Sequence, residues 1–328
     1  MVSAEYLAGF VDGEGYLALG RIPRGPSHEY PVRVVVYNTN REALEQIRQV
    51  WGGTLSCSLR KPEWKPQYAL IWTNAAGARL LEEVAPHLRI KSKQAEAVLR
   101  FHCHTRTYQR NRDLGGRLLP LPEQELEFRE EFYKYLKRLN ARGPRGLTPG
   151  PRKAPQERWR RLSVEYLAGF LDAEGALMIA KWRGQRSWNP GYRARISLAN
   201  TNRSALEEVR RAFGGILVNS ARARVGWKQC YQLVWTGGMV EKLLSRLFPH
   251  LLIKRKQAAV LLDLIRHRKG TRQGRRGPNG RFFAPLPDYT IAYREALYTR
   301  MRELNAKGSL SGKGEIGGVS RVSETPIA

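Results

Sequence analysis

The chain has little with which to build a disulfide framework or a metal cluster. Its 328 residues hold three cysteines, Cys57, Cys103 and Cys230, none in a C-x-x-C spacing, so neither a zinc site nor a stapled secreted scaffold is indicated and a reducing compartment fits. No apolar run approaches the ~20 residues that span a bilayer. The first sequence motif begins at residue 7, which leaves no room for a signal or transit peptide. The protein is expected to act where it is made, in the cytoplasm or nucleoid of a bacterium or in an organelle matrix. Ser-His-Asp patterns, Walker loops and dinucleotide fingerprints are absent. His102 and His104, two apart, cannot share a helix face, and His104, which aligns with His267, hints at a common phosphate-facing role but reads first as structural. Acidic residues are also scarce: 29 Asp and Glu face 57 Lys and Arg, a formal charge of +28 and a pI near 10.6. That exceeds what solubility requires and indicates a polyanionic partner. Of the 57 bases, 15 are lysine and 42 arginine. Arginine's planar fork suits phosphate or guanine, although a GC-rich coding sequence would also raise its count.

What the chain does have is a duplication. LAGFVDGEG at 7–15 returns as LAGFLDAEG at 167–175, and YNTNREALEQIRQVWGG at 37–53 returns as ANTNRSALEEVRRAFGG at 199–215. PHLRIKSKQAE at 86–96 matches PHLLIKRKQAA at 249–259, and RLNARG at 138–143 matches ELNAKG at 303–308. The offset drifts from 160 to 165, as small loop insertions between two equivalent units would make it. The units are 1–142 and 163–308. Between them, 143–162 is rich in proline, glycine and charge and reads as a solvated linker. The tail 309–328 lacks aromatics and is expected to be disordered.

Each unit reads as helix, two strands, helix, two strands and further helices, a mixed α+β arrangement of αββαββα type. The motif helix spans 3–14, with Ser3 (and Ser163) as N-cap and Gly15 (and Gly175) at its end. Strands are predicted at 17–24, 30–37, 54–60 and 67–73, and in the second unit near 177–183, 192–199, 216–225 and 229–236. Helices are predicted at 40–51, 75–86, 91–106 and 122–140. Leu7, Phe10 and Val11 form an apolar stripe facing the unit's own core. Gly9 and Gly13 lie on another face, where a second backbone can come close, and Gly169 and Ala173 supply the partner stripe.

Packing the two motif helices in this way carries Glu14 and Glu174 to adjacent positions at helix C-termini. There the macrodipole disfavours negative charge by ~0.3–1 kcal/mol, and the two carboxylates repel each other. Divalent cations held by Glu14, Glu174 and carbonyls near the helix ends, Gly13 and Ala173, would compensate. Mg²⁺ suits such partial coordination, with Mn²⁺ or Ca²⁺ able to replace it in binding. Metal ions at such a pair can activate water and stabilise a phosphodiester leaving group. Asp12 and Asp172 read as braces of the helix ends rather than metal ligands.

In their order and spacing, these blocks resemble the single-chain, two-motif LAGLIDADG homing endonucleases over roughly 3–142 and 163–307. The resemblance implies that the four strands of each unit form a curved antiparallel saddle and that two saddles grip one long duplex; a β-ribbon fits the major groove. It further implies that Lys91 and Lys254 lie near the scissile phosphates and that Asn40 and Asn202 help to position water, although asparagine also suits a helix N-cap. Groove-facing candidates are Arg21, Arg24, Arg33, Arg60, Lys65 and Gln67 in the first unit. Their counterparts are Lys181, Arg183, Arg193, Arg195, Arg222, Arg224, Lys228 and Gln229. Arg106, Arg110, Arg268 and Lys269, at helix ends, are expected on phosphates, positioning rather than reading. The expected activity is a Mg-dependent double-strand break in a long asymmetric DNA site by a monomer. An RNA maturase acting on its own intron RNA, and a non-catalytic DNA-binding regulator, are the alternatives. A regulator would be free to lose Glu14 or Glu174, and neither is lost.

Overall fold

The computed structural model describes residues 2–24, 27–59, 64–109, 115–116, 119–141, 162–183, 189–220, 229–271 and 286–306. The first repeat runs α1 (Ala4–Glu14), β1 (Gly15–Leu19), β2 (Ile22–Arg24), β3 (Ser27–Glu29), β4 (Val32–Asn38), α2 (Arg41–Trp51), β5 (Thr54–Ser58), β6 (Gln67–Thr73), α3 (Asn74–Val84), α4 (Ser92–Thr107) and α5 (Glu123–Leu139). The second runs α6 (Val164–Glu174), β7 (Gly175–Trp182), β8 (Gly191–Asn200), α7 (Arg203–Phe213), β9 (Ile216–Asn219), β10 (Tyr231–Thr236), α8 (Gly238–Leu247), α9 (Arg255–Gly270) and α10 (Asp288–Leu304). The linker 143–162, apart from residue 162, and the tail 309–328 lie outside the described residues.

Each repeat builds one antiparallel four-stranded sheet, in the order β1-β4-β6-β5 and β7-β8-β10-β9. The predicted strand 17–24 divides in two. The chain leaves the sheet at Gly20, whose N–H donates to the Pro31 carbonyl at 2.7 Å, and β2 then pairs only with β3 as a separate ribbon. Pro23 supplies no N–H there, so that ribbon cannot extend the main ladder on that side.

Strand alternation sorts the side chains. Leu17, Leu19, Val32, Val34, Val36, Leu70 and Trp72 enter the core, as do Leu177, Ile179, Tyr192, Ala194, Ile196, Leu198, Leu233 and Trp235. Helices cover that face, and the intervening residues form the other one. The duplicated W/F-G-G has a local cause. Gly53 (φ 95°) and Gly215 (φ 103°) adopt left-handed backbone conformations, and a Cβ at either would sit 2.9 Å from the indole of Trp72 or Trp235. Those indoles donate to the last carbonyls of α2 and α7, Trp51 O at 2.9 Å and Phe213 O at 3.1 Å. The core is one continuous cluster running through α1 and α6, so the repeats are fused rather than merely tethered.

Candidate active site

Ser3 and Ser163 cap α1 and α6 by accepting from the Tyr6 and Tyr166 amides. The two helices then meet along the expected small-residue seam. A Cβ on Gly9 would lie 2.0 Å from the Tyr166 carbonyl oxygen, and one on Gly169 would lie 2.0 Å from that of Tyr6. At Gly13 the obstacle is the Cβ of Ala173, 2.3 Å away. Only side-chain-free positions allow backbones this close.

Asp12 and Asp172, both 1% exposed, act as the expected braces. Asp12 accepts from the backbone N–H groups of Arg89, Ile90 and Lys91 at 2.7, 3.1 and 2.8 Å. Asp172 accepts from Leu252, Ile253 and Lys254 at 2.7, 3.1 and 2.9 Å. Each also receives a phenol from the other repeat: Tyr166 donates to Asp12 at 2.7 Å and Tyr6 to Asp172 at 2.8 Å. Burial first, then the facing carboxylate, holds both phenols well above their ordinary pKa, so they remain donors. Sequence reasoning missed these two tyrosines, although the signal was present in EYLAG, which occurs in both copies.

The braces deliver the lysines. Lys91 Nζ donates to the carbonyls of Val11, Asp12 and Gly13 at 2.9, 2.7 and 3.3 Å. Lys254 Nζ donates to the Asp172 carbonyl. Burial lowers both ammonium pKa values, against the pull of the adjacent aspartate and of both glutamates. The carboxyls respond in kind. Glu14 is lifted above its ordinary value by burial and then by Glu174, Glu174 is lifted by burial, and both lysines pull the other way on each acid. Two acids and two ammonium groups from opposite repeats thus share one electrostatic site. The cation that a carboxylate pair at two helix ends demands is supplied in part by the protein itself.

Asn40 and Asn202 serve as N-caps of α2 and α7, their Oδ1 atoms accepting from Ala43 and Ala205 at 3.0 and 3.1 Å. The N-cap bond uses one acceptor site of each oxygen and leaves the side-chain NH2 groups unused by it.

On the uncovered sheet faces, Arg33 sits opposite Ala18 and Thr73, Arg193 opposite Ala180, and Arg195 opposite Met178 and Thr236. Gln67 shares the face of Arg33. Arg183 is exposed just beyond β7. Other assignments change. Lys181 pairs with the buried Tyr192 on the core parity and binds Glu295 of α10 at 2.7 Å. Arg21 likewise reaches Glu130 of α5 at 3.1 Å. Both therefore tie a strand end to the last helix of the repeat and lie off the uncovered face. Lys65 donates to the Ala306 carbonyl at 3.2 Å, a contact between repeats. Gln229 closes its hairpin by donating to the Ser220 and Cys230 carbonyls. Lys269 pairs with Glu241 at 2.7 Å, whereas Arg106 is exposed at the end of α4. The side chain of Arg24, and Arg60, Arg110, Arg222, Arg224 and Lys228, lie outside the described residues.

The uncovered sheet face also holds residues the sequence reading passed over. Gln232 accepts from Arg195 at 3.3 Å, and Trp182, 44% exposed, carries the Arg193 guanidinium 5.0 Å above its ring. Counting parity outward from Trp235 would have found Gln232, and from Leu177 and Ile179 would have excluded Lys181.

No protein-family model and no curated protein sequence matches the chain. Solved structures do. I-SmaMI, a LAGLIDADG homing endonuclease bound to cleaved DNA, superposes with a TM-score of 0.66 at 12% identity, over 93% of this chain and 99% of that one. The chain has the LAGLIDADG homing-endonuclease fold. A LAGLIDADG meganuclease bound to uncleaved DNA, I-AabMI, matches at TM-score 0.62 and 17% identity over 91% and 98% of the two chains. I-GzeII, in complex with its DNA target, matches at 0.60 and 12% over 93% and 100%. I-SmaMI has also been seen on uncleaved DNA in the presence of calcium ions. The LAGLIDADG fold accounts for the duplication, the helix seam and the two four-stranded sheets together.

Among the described residues no three His, Cys, Asp or Glu side chains converge as a self-sufficient metal cluster. Two carboxylates and the carbonyls at Gly13 and Ala173 form an all-oxygen, incomplete donor set. That suits a hard divalent cation which keeps water and takes phosphate oxygens as its remaining ligands.

Proposed function

We propose that the protein is a site-specific DNA endonuclease that hydrolyses both strands of one long, asymmetric duplex site, acting as a monomer. One observation carries the reading: the seam of α1 and α6 brings Glu14 and Glu174, with Lys91 and Lys254, to a point shared by two arginine-bearing sheets. The fold's solved relatives sit on DNA, which supports the same partner.

A Mg²⁺ held by Glu14, Glu174 and the carbonyls at Gly13 and Ala173 would supply Lewis-acid polarisation of phosphate and bound water. The chain's own residues set the stage for that chemistry. Glu14 and Glu174 present carboxylates whose mutual repulsion favours any cation between them. Lys91 and Lys254 neutralise the helix ends and place positive charge beside an incoming phosphodiester. Asp12 and Asp172 fix both lysine backbones, and the crossed tyrosines fix both aspartates. Arg33, Gln67, Arg193 and Arg195, on alternating positions of the uncovered faces, suit base-edge contacts in the major groove.

A cleavage selection on a randomised duplex library with Mg²⁺ tests the activity. The expected product is one recovered non-palindromic site, cut on both strands with short 3′ overhangs. Light scattering of the complex should give one chain per duplex, because Gly169 and Ala173 already occupy the seam of Gly9 and Gly13. Enrichment of palindromes or two chains per duplex would refute the monomer, and no enriched site would refute the endonuclease.

A further inference from the structure

The repeats provide an internal comparison at the C-terminal ends of α4 and α9, roughly 24 Å along the helix from the active-site lysines. In the first repeat, Glu125, 6% exposed, accepts from Arg129 Nε at 2.6 Å and faces His104 Nε2 at 2.8 Å. His104 stacks on Phe128 with ring centroids 4.0 Å apart. The corresponding residues of the second repeat are His267, Tyr293 and Arg294, and the stack is kept at 4.5 Å. The acid is not kept. Its place is taken by Thr290, which is 1% exposed.

Arg294 is therefore 9% exposed without a carboxylate. It donates to Thr271 Oγ1 at 2.6 Å and to His267 Nδ1 at 3.5 Å, both uncharged acceptors. Of the acids on α8, α9 and α10, Glu295 is bound to Lys181 and Tyr192, Glu241 to Lys269, Asp263 to Arg266 and Glu303 to Arg300, and Asp288 is exposed at the start of α10. Arg268 adds a second positive charge close by. The stretch joining α9 to α10, residues 272–287, contains four arginines and no acid. A buried guanidinium without a counter-ion is costly, whereas a guanidinium fork held from one side is well shaped for an oxyanion on the other.

We propose that Arg294, oriented by Thr271 and His267 and reinforced by Arg268, forms a socket for a phosphate-type oxyanion present only in the second repeat. The socket stands on this side-chain geometry and does not depend on the nuclease reading.

Inorganic phosphate is the probe. Phosphorus-31 line broadening and thermal unfolding at constant ionic strength, with chloride as reference, should show saturable binding of phosphate to the full chain. Thr290→Glu restores the acid of the first repeat and should abolish that response, while Glu125→Thr should create a second binding event. If Thr290→Glu fails to fold, Arg294→Gln serves instead, with an expected affinity loss of roughly 10–100-fold for a charged hydrogen bond. Displacement of phosphate by a duplex of arbitrary sequence would identify a DNA-backbone phosphodiester as occupant. Undisturbed phosphate binding would identify the free anion. Equal phosphate responses in wild type and Thr290→Glu, or none in wild type, would overturn the proposal.

Discussion

Adding one methyl group at Gly9 tests the central packing argument. The new Cβ would lie 2.0 Å from the Tyr166 carbonyl oxygen, 2.8 Å from the Phe170 nitrogen and 2.9 Å from the Tyr166 carbonyl carbon, and ordinary contact begins at 3.4 Å. All three obstacles are backbone, so relief requires α1 and α6 to part by up to 1.4 Å. Overpacking of a close contact costs about 1–3 kcal/mol. Parting the helices also stretches the Tyr6–Asp172 and Tyr166–Asp12 bonds, now 2.8 and 2.7 Å, and a buried polar group left unpaired costs about 1–3 kcal/mol. Gly9→Ala should therefore lose about 2–6 kcal/mol, a large part of the ~5–15 kcal/mol that holds a typical domain together. Gly238→Ala is the control: nothing lies within 4 Å of its Cβ, and at the start of α8 it should gain about 0.4–1 kcal/mol. Urea unfolding, read as the midpoint at unchanged slope, measures both. A Gly9→Ala loss below about 1 kcal/mol, with cleavage intact, would show that the seam is looser than these distances state.

Glu14→Gln with Glu174→Gln should abolish cutting while leaving DNA affinity equal or higher, and Mg²⁺-dependent cleavage by the double mutant would exclude both acids. Because folding raises both carboxyl pKa values, each acid stabilises the fold below its unfolded pKa and loses that contribution as pH rises through the folded one. Glu14→Gln should thus be more stable than wild type at neutral pH, with the difference vanishing as pH falls below the ordinary carboxylate value; a difference independent of pH would contradict this. DNA affinity should fall steeply with salt, by about −0.9 in log–log slope per phosphate contacted, and a shallow slope would mean that the +28 charge is not directed at the duplex. Removing the tail after Gly308 should change that affinity little, as measured by the same titration.

Much of this structure was legible in the sequence because the duplication made every inference twice. The helix seam, the apposed acids and the bracing aspartates all follow from residue type at helical spacing, which is local information. Groove assignments fared unevenly for a physical reason. Arg33, Arg193 and Arg195 lie within regular strands, where alternation decides the face. Arg21 lies between β1 and β2, where alternation does not decide and Glu130, more than 100 residues away, draws the side chain over, whereas Lys181 lies on the core parity of β7, where Glu295 of the last helix receives it. Composition also could not show that Lys91 would spend its donors on three carbonyls of α1, since that depends on a tertiary approach between α4 and the motif helix.

The unequal pair at the base of the seam carries a historical consequence. Ala173 places its Cβ where a Cβ on residue 13 would fall 2.3 Å away, so the position tolerates one alanine and no more. In a homodimer of identical subunits the two positions change together, and at this helix spacing glycine is the only state open to them. A Gly/Ala combination becomes reachable only once the two copies are encoded separately and mutate independently. The pair is a mark of that independent divergence, and at this helix distance it leaves the second repeat, with alanine at the position on both helices, no room to pair with a copy of itself.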